Sequence, residues 1–480
     1  MTENRPLFII NVNSQIVYNI PLENEQSILK GEDPSLRSNF ILGMCLLFLV
    51  QYFVHFQTFQ YILAIMATLA FLASVPLAKK VPRFFSVLMF AAGLALTYAK
   101  GQGIGAAAEG ITSNLSLLTL LVLVPLLSIP LKMGGFFDSI LLYLNRYQNH
   151  PRKMFMGITT VLFFLGPILN IGAIRIIDEL IKGLRLKPTF LSKAYLIGFS
   201  TTILWSPYYA AVGVTLLYLH VSVKDYMSYG VGFAVLFLLI GNFMFGVWAK
   251  KHNLDVEGGH REVITPDHRK KIKILVYMIL SIMVVTIATE SITHWSMLVI
   301  VSLLSILFPG IWGLFSKQWD SLKHHFVDYR DKAVPIMNNE IIMYISAGFF
   351  GQSLKGTVFG QGINVFMTHV AQKSFLLFAL FILITMICVT FVGIHQLVVV
   401  TVLATQMDPE MIGTSKEILA MVIMIAWSAS SVLSPVNPIN LLVSTLVKKS
   451  SIGVGLKDNG SYLLIVCMLG IVIINLLNYL

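Results

Sequence analysis

Apolar runs of membrane-spanning length recur from residue 39 to the end of the chain, and they decide what it can fold into. A transmembrane helix needs about 20 consecutive apolar residues, because backbone polar groups in lipid must bond within their own segment. Runs of roughly that size fall at 39–57, 60–78, 84–100, 114–131, 190–220, 228–249, 274–290, 293–316, 335–351, 416–447 and 459–480. Hydrophobic residues make up 56% of the 480 and charged residues only 12%, where a soluble domain is about one-quarter charged. That excludes one large water-soluble domain, a disordered chain and a coiled coil. The expected fold class is an all-α polytopic membrane protein with about 11 transmembrane helices. The net charge of +11 fits basic cytoplasmic loops, so no nucleic-acid partner is expected. Cys45, Cys388 and Cys467 all sit in apolar runs, which predicts neither a disulfide framework nor a cysteine metal site.

Residues 1–38 are polar and lack an apolar signal core, so no cleavable signal is expected. The alternation from Leu7 to Tyr18 fits either a small β-hairpin turning near Asn13-Ser14 or a flexible tail, and no function is assigned to it.

Two segments are apolar but interrupted. Residues 154–187 hold two short stretches broken by Gly166-Pro167-Ile168-Leu169-Asn170-Ile171-Gly172, which predicts a re-entrant hairpin whose tip lies at membrane depth. In 190–220 the break is Trp205-Ser206-Pro207. Proline removes a helical N–H and clashes with the preceding turn, so a broken helix is expected. The same order recurs later: a hairpin at 374–407 breaking near Thr390-Phe391-Val392-Gly393-Ile394-His395-Gln396, then a broken helix at 416–447 with Ser434-Pro435-Val436-Asn437-Pro438. Segments 132–153 and 352–373 are too polar to span and suit helices lying in the interface. The chain thus divides into an N-terminal segment 1–38, a first half 39–249, a basic linker 250–273 and a second half 274–480.

With the N-terminus in the cytoplasm and each hairpin returning to its own side, the inside segments are 1–38, 79–83, 132–153, 182–193, 250–273, 317–332 and 448–457. Of 34 Lys and Arg, only Lys100, Lys224, Lys355, Lys373 and Lys416 fall outside, and Arg175 lies within the first hairpin. The positive-inside rule demands this bias. The second half then repeats the first in opposite orientation. At an offset of 228, Ser200 matches Ser428, Thr202 faces Ser430, and Ser206-Pro207 matches Ser434-Pro435. At an offset of 223, Leu131-Lys132 matches Leu354-Lys355, Phe136 matches Phe359 and Ile140 matches Ile363. Inverted repeats with broken helices are a signature of secondary transporters.

The order of three spans, interfacial arm, hairpin, broken helix and closing span, repeated after a lead-in helix, resembles the ion transporter superfamily. That group contains the divalent anion/sodium symporters, citrate carriers and arsenite-pump-like proteins. The resemblance covers about residues 39–480. Where the dicarboxylate branch carries Ser-Asn-Thr at each hairpin tip, this chain matches at Asn170. The resemblance implies an elevator mechanism in a homodimer.

Each hairpin tip and helix break exposes unsatisfied backbone groups. The helix that follows presents free N–H groups and a positive dipole end, a ready site for an anion. The helix that precedes presents carbonyls, which suit Na⁺ or a proton carrier. The expected substrate-binding residues are Asn170, Gly172, Arg175, Ser206, Pro207, Gly393, His395, Gln396, Ser434, Pro435, Asn437 and Asn440. For the coupling ion they are Gly166, Asn170, Ser200, Thr202, Ser428 and Ser430. The serines and asparagines equally fit helix caps. Arg175 fits either an anionic substrate or an ion pair with Asp178 and Glu179. His395 fits either a proton carrier or a structural hydrogen bond.

The leading function is a secondary transporter of a small carboxylate-like anion coupled to Na⁺ or H⁺. It is expected in the bacterial cytoplasmic membrane, with lipid around it and no cofactor beyond Na⁺ as a coupling ion. The chain carries no phosphate-binding loop, and no enzymatic activity is expected. Two alternatives stay open: a cation/proton antiporter on the same scaffold, and an integral membrane enzyme acting on a lipid-linked substrate.

Overall fold

The computed structural model describes residues 34–184, 186–252 and 265–479. Every regular element among them is helical. The first half runs α1 (Pro34–Val54), α2 (Gln57–Ser74), α3 (Lys80–Ala99), α4 (Ile104–Thr112), α5 (Leu115–Leu123), α6 (Ser128–Met133) and α7 (Phe136–Asn145). It continues with α8 (Pro151–Leu169), α9 (Gly172–Ile181), α10 (Pro188–Trp205), α11 (Ala210–Leu219) and α12 (Val223–Lys251). The second half begins with α13 (Pro266–Thr293), α14 (Met297–Ser316), α15 (Trp319–Asp328), α16 (Asn338–Leu354) and α17 (Val358–Lys373). Then come α18 (Phe375–Phe391), α19 (Gln396–Gln406), α20 (Pro409–Ile412), α21 (Lys416–Leu433), α22 (Pro438–Leu446) and α23 (Asn459–Leu477), the last led by a π-helical turn, Gly453–Asp458. The segment Leu7–Tyr18 and Arg261 of the basic linker lie outside the described residues.

Eleven helical stretches are long and apolar enough to cross a membrane, so the architecture is that of a polytopic membrane protein. The number agrees with the sequence expectation, but the membership differs. Pro151–Leu169, expected to be too short to cross alone, is 19 residues long and qualifies. Asn338–Leu354, the counterpart of the expected span 335–351, is only 17 residues long. Residues 317–332, read from sequence as a basic loop, contain α15. Its Asp320 in the first turn and His325 in the last suit the helix dipole. None of its residues is buried. The glycine-rich separator after residue 100 is also partly helical: Ala106-Ala107-Ala108 carries α4, which joins α5 and α6 in one 30-residue stretch.

Helix starts follow the local chemistry. Ser222, Thr357 and Ser415 cap α12, α17 and α21 by accepting the N–H of Asp225, Gly360 and Ile418. Pro151, Pro188, Pro266 and Pro438 open α8, α10, α13 and α22, where a missing N–H costs no helical bond.

Burial separates centre from periphery. The most apolar window of Pro188–Leu219 is 83% buried and that of Lys416–Leu446 is 89%, against 22% for Lys80–Ala99. The two interrupted helices are therefore central, as is Ile104–Met133 at 83%, and α3 leaves most of its surface exposed. α10 packs against α8, α12 and α21, while α21 packs against α18, α11 and α23. A second group forms around α16, which lies along α3, and α14, which lies along α5. Small residues set the closest approaches, since lipid supplies no hydrophobic drive between helices. A Cβ at Gly198 of α10 would lie 2.9 Å from Leu162 Cβ and 3.0 Å from Thr159 Cα of α8. Lys449 ties the start of α10 to the π-helical turn before α23: its Nζ lies 2.6 Å from Asp458 Oδ2 and 2.9 Å from Thr189 Oγ1.

Candidate functional site

Four chain interruptions lie at the ends of helices packed on α10 or α21: 170–171, 206–209, 392–395 and 434–437. The crossing itself joins two positions related by the 228-residue offset. Ser428 Oγ donates to the Ser200 carbonyl at 2.9 Å. Each hairpin lies along the broken helix of its own half. Thr202 Oγ1 donates to Leu162 O at 3.1 Å, and a Cβ on Gly166 would meet Thr202 Cγ2 at 2.7 Å. Ser434 Oγ donates to Thr390 O at 2.8 Å. Each tip is thereby brought beside its helix break.

In the second half the polar groups close on one another. Gln396 Nε2 donates to Ser430 Oγ at 2.7 Å, to Ser431 Oγ at 2.8 Å and to the Trp427 carbonyl at 3.2 Å. Gln396 Oε1 accepts from Asn437 Nδ2 at 3.1 Å. Asn437 Oδ1 caps α22 by accepting the Ile439 N–H at 2.9 Å. His395 Nδ1 accepts the Leu397 N–H at 3.1 Å and so caps α19. Its ring stands edge-on to Trp427 with centroids 6.4 Å apart. Gly393 has φ +107, and a Cβ there would lie 3.2 Å from Val81 Cγ1, so this tip reaches the junction between α2 and α3. Pro435 and Asn440 flank the break. Asn440 Nδ2 donates to Val432 O at 2.6 Å, while its Oδ1 is buried without a partner.

The first half is built differently. No side chain caps α9 or α11, whose preceding residues are Ile171 and Tyr209. At the break before Pro207, the Trp205 indole N–H and the Ser206 hydroxyl are buried with no hydrogen-bond partner among the described residues. Trp205 is 2% exposed and Ser206 fully buried. The indole plane is fixed by stacking on Phe163 at 5.1 Å. Asn170 turns the hairpin with φ 51 and ψ −143, and its Oδ1 accepts the next N–H, of Ile171, at 2.8 Å. Gly172 opens α9 directly after it.

Several expected ligands are engaged with backbone. Ser200 Oγ donates to Ile197 O at 3.3 Å and Ser430 Oγ to Trp427 O at 3.0 Å. With Thr202 and Ser428, all four hydroxyl hydrogens are taken. Arg175 forms no ion pair with Asp178 or Glu179. Asp178 Oδ1 instead accepts from Tyr195 Oη at 2.8 Å, and Glu179 faces Lys182 at 3.9 Å. The Arg175 side chain is exposed on α9. Sequence reasoning treated Trp205 only as part of an interruption and missed it as a donor. It also missed Gly455, which packs against the end of α21 and which no sequence signal marks.

No family model and no curated protein sequence matches the chain. Among solved structures it is similar to the YdaH transporter of Alcanivorax borkumensis, described as having an unusual topology. Identity is 12%, coverage is 82% of this chain and 97% of that one, and the TM-score is 0.57. It is also similar to MtrF of Neisseria gonorrhoeae, described within a class of antimetabolite efflux pumps. That match has 13% identity, covers 77% of this chain and 83% of that one, and has a TM-score of 0.48. The fold likeness rests on the first of these.

Proposed function

We propose that the chain is a secondary active transporter of a small carboxylate-like anion, driven by Na⁺ or H⁺, in the bacterial cytoplasmic membrane with its N-terminus inside. The carrying observation is the pair of orphan donors, Trp205 Nε1 and Ser206 Oγ, at the break that precedes the uncapped α11. An unpaired buried donor costs about 1–3 kcal/mol. An indole N–H can only donate, so its partner must offer an acceptor and is not a metal cation. Two donors next to a helix N-terminus suit a carboxylate or another oxyanion. Asn170, Gly172 and Arg175 supply the tip side of the same site, with Arg175 free to meet negative charge. The fold likeness to a transporter and the repeated order of interrupted helices support the same reading.

An elevator motion is part of this proposal, with the group around α10 and α21 sliding against the group around α3, α14 and α16. The contact of Gly393 with Val81 supports it. The hairpin is expected to enter from outside, yet its tip meets the junction expected inside, as it would with the central group lowered. A homodimer and kinship with the ion transporter superfamily belong to the same proposal. The antiporter alternative has less support, because Asp178 and Glu179 already have partners.

The test is flux in proteoliposomes. Acetate, succinate, citrate and phosphate are each offered with an imposed Na⁺ gradient, a pH gradient or neither. The expected result is gradient-dependent accumulation of one carboxylate. Cation exchange without any anion would overturn the proposal in favour of an antiporter.

A further inference from the structure

The first break is held in place from the other half of the chain. Tyr208, inside the break and 2% exposed, donates from Oη to Thr286 Oγ1 of α13 at 3.0 Å. The direction is fixed, because the Thr286 hydrogen goes to Ile282 O at 2.9 Å. One turn further along the same face of α13, Glu290 Oε1 accepts the Val223 N–H at the start of α12, at 3.1 Å. Three residues on, Tyr226 donates from Oη to Leu204 O, near the end of α10. One turn later, Gly230 lets α12 close on the break: a Cβ there would lie 3.0 Å from Leu204 O and 3.3 Å from Trp205 Cα. The residues after the orphan donors are thus tied to α13 directly, and those before them through the first turns of α12.

Packing alone does not call for this arrangement. Glu290 leaves Oε2 buried with no partner among the described residues, where an apolar side chain would leave no polar group unmet. The start of α12 already has a cap, Ser222, which serves the Asp225 N–H. We propose that Thr286 and Glu290 are positioning residues for the anion site: they hold the first break rigid, so that Trp205 Nε1 and Ser206 Oγ are already in place when the anion arrives. A preset site binds more tightly because less must be ordered on binding. The second break needs no such support, since Gln396 and Asn437 fill it. The first has no side-chain cap on α11 and takes its support from α13. As a role in anion binding this rests on the function proposed above; as support of the break it does not.

Two measurements on the purified full-length protein in detergent test this. Hydrogen–deuterium exchange, with no anion present, follows the Ser206 and Tyr209 N–H, which bond Thr202 O and Ser206 O. Affinity for acetate, succinate, citrate and phosphate is taken from the ligand-dependent rise in Tm. Thr286→Val and Tyr208→Phe should each speed exchange at the break about fivefold and weaken anion binding about fivefold, the loss of one net hydrogen bond. The double variant should match either single one, because both remove the same bond. Tyr208→Phe serves alone if the valine variant does not fold, and Thr286→Ser should restore both values. Glu290→Leu should act in the same direction, while Glu290→Gln, which keeps an acceptor for the Val223 N–H, should not. Ser305→Ala removes an equally buried hydroxyl from α14 and should change neither value. Unchanged exchange in Thr286→Val and Tyr208→Phe overturns the support, and additive effects in the double variant overturn the bond as its cause. Faster exchange with unchanged anion affinity overturns the positioning role. Faster exchange in variants of a protein that binds none of the four anions leaves the support standing and refutes the anion reading.

Discussion

The two halves share their order of helices but not the chemistry of their breaks. In the second half, Gln396 and Asn437 fill the space between tip and break with side-chain hydrogen bonds, and both following helices are capped. At the repeat offsets their first-half counterparts are Ala173 and Tyr209, which form no such network. The helices α9 and α11 stay uncapped there, and two donors stay unpaired. The second break is therefore largely filled by its own side chains, with Asn440 Oδ1 left over, and the first is short of acceptors. The sealed break supplies rigidity, and the unsealed one has capacity left for a ligand.

Breaking the sealed side should have the largest effect. Gln396→Leu removes the two bonds donated to Ser430 and Ser431 and one accepted bond from a buried network. A loss of about 2–4 kcal/mol is expected, read as a fall in Tm with or without ligand. Asn437→Ala removes the α22 cap and one network bond and should cost about 1–2 kcal/mol in the same assay. Asn170 sharpens the contrast on the open side. Its φ of 51 with ψ −143 is a backbone conformation that glycine adopts most easily, so Asn170→Gly should raise Tm by the equivalent of about 1 kcal/mol. If Asn170 also contacts the substrate, that variant gains stability and loses binding together. Arg175→Gln should change stability least, by less than about 0.5 kcal/mol, because the side chain is exposed and unpaired. Under the proposed function it should nevertheless weaken anion uptake. No loss of uptake would remove Arg175 from the site.

Much of this arrangement was legible in the sequence. Pro207 and Pro435 marked where helices stop, because proline acts on the backbone locally, whereas Gly166 and Pro167 of the first tip lie inside α8 and the chain turns only at Asn170. The 228-residue offset paired Ser200 with Ser428 as equivalent positions; that the two meet at the crossing was not read from the sequence. What stayed hidden depends on partners distant in sequence. Whether a hydroxyl is spent on a carbonyl or left free is decided by the helix opposite: Ser434 finds Thr390 O, and its counterpart Ser206 finds nothing. The same holds for Arg175, whose expected partner Asp178 is taken by Tyr195 from α10. Helix α15 escaped because its charge density resembles a loop, although its terminal charges suit a helix dipole.

The most direct test compares Ser206→Ala with Ser434→Ala in an anion-dependent thermal shift, using the carboxylate that proteoliposomes accumulate. A ligand at 100 times its Kd stabilises the folded state by about 2.7 kcal/mol, a readable change. Ser206→Ala removes a hydroxyl without a partner and should melt like the natural protein without ligand, yet lose the ligand-induced shift. Ser434→Ala removes one of the two bonds that Thr390 O accepts, the other coming from the Gly393 N–H, and should lose about 1 kcal/mol without ligand while keeping the shift. The opposite pattern, or equal loss of the shift in both variants, would contradict the division between an open break and a sealed one.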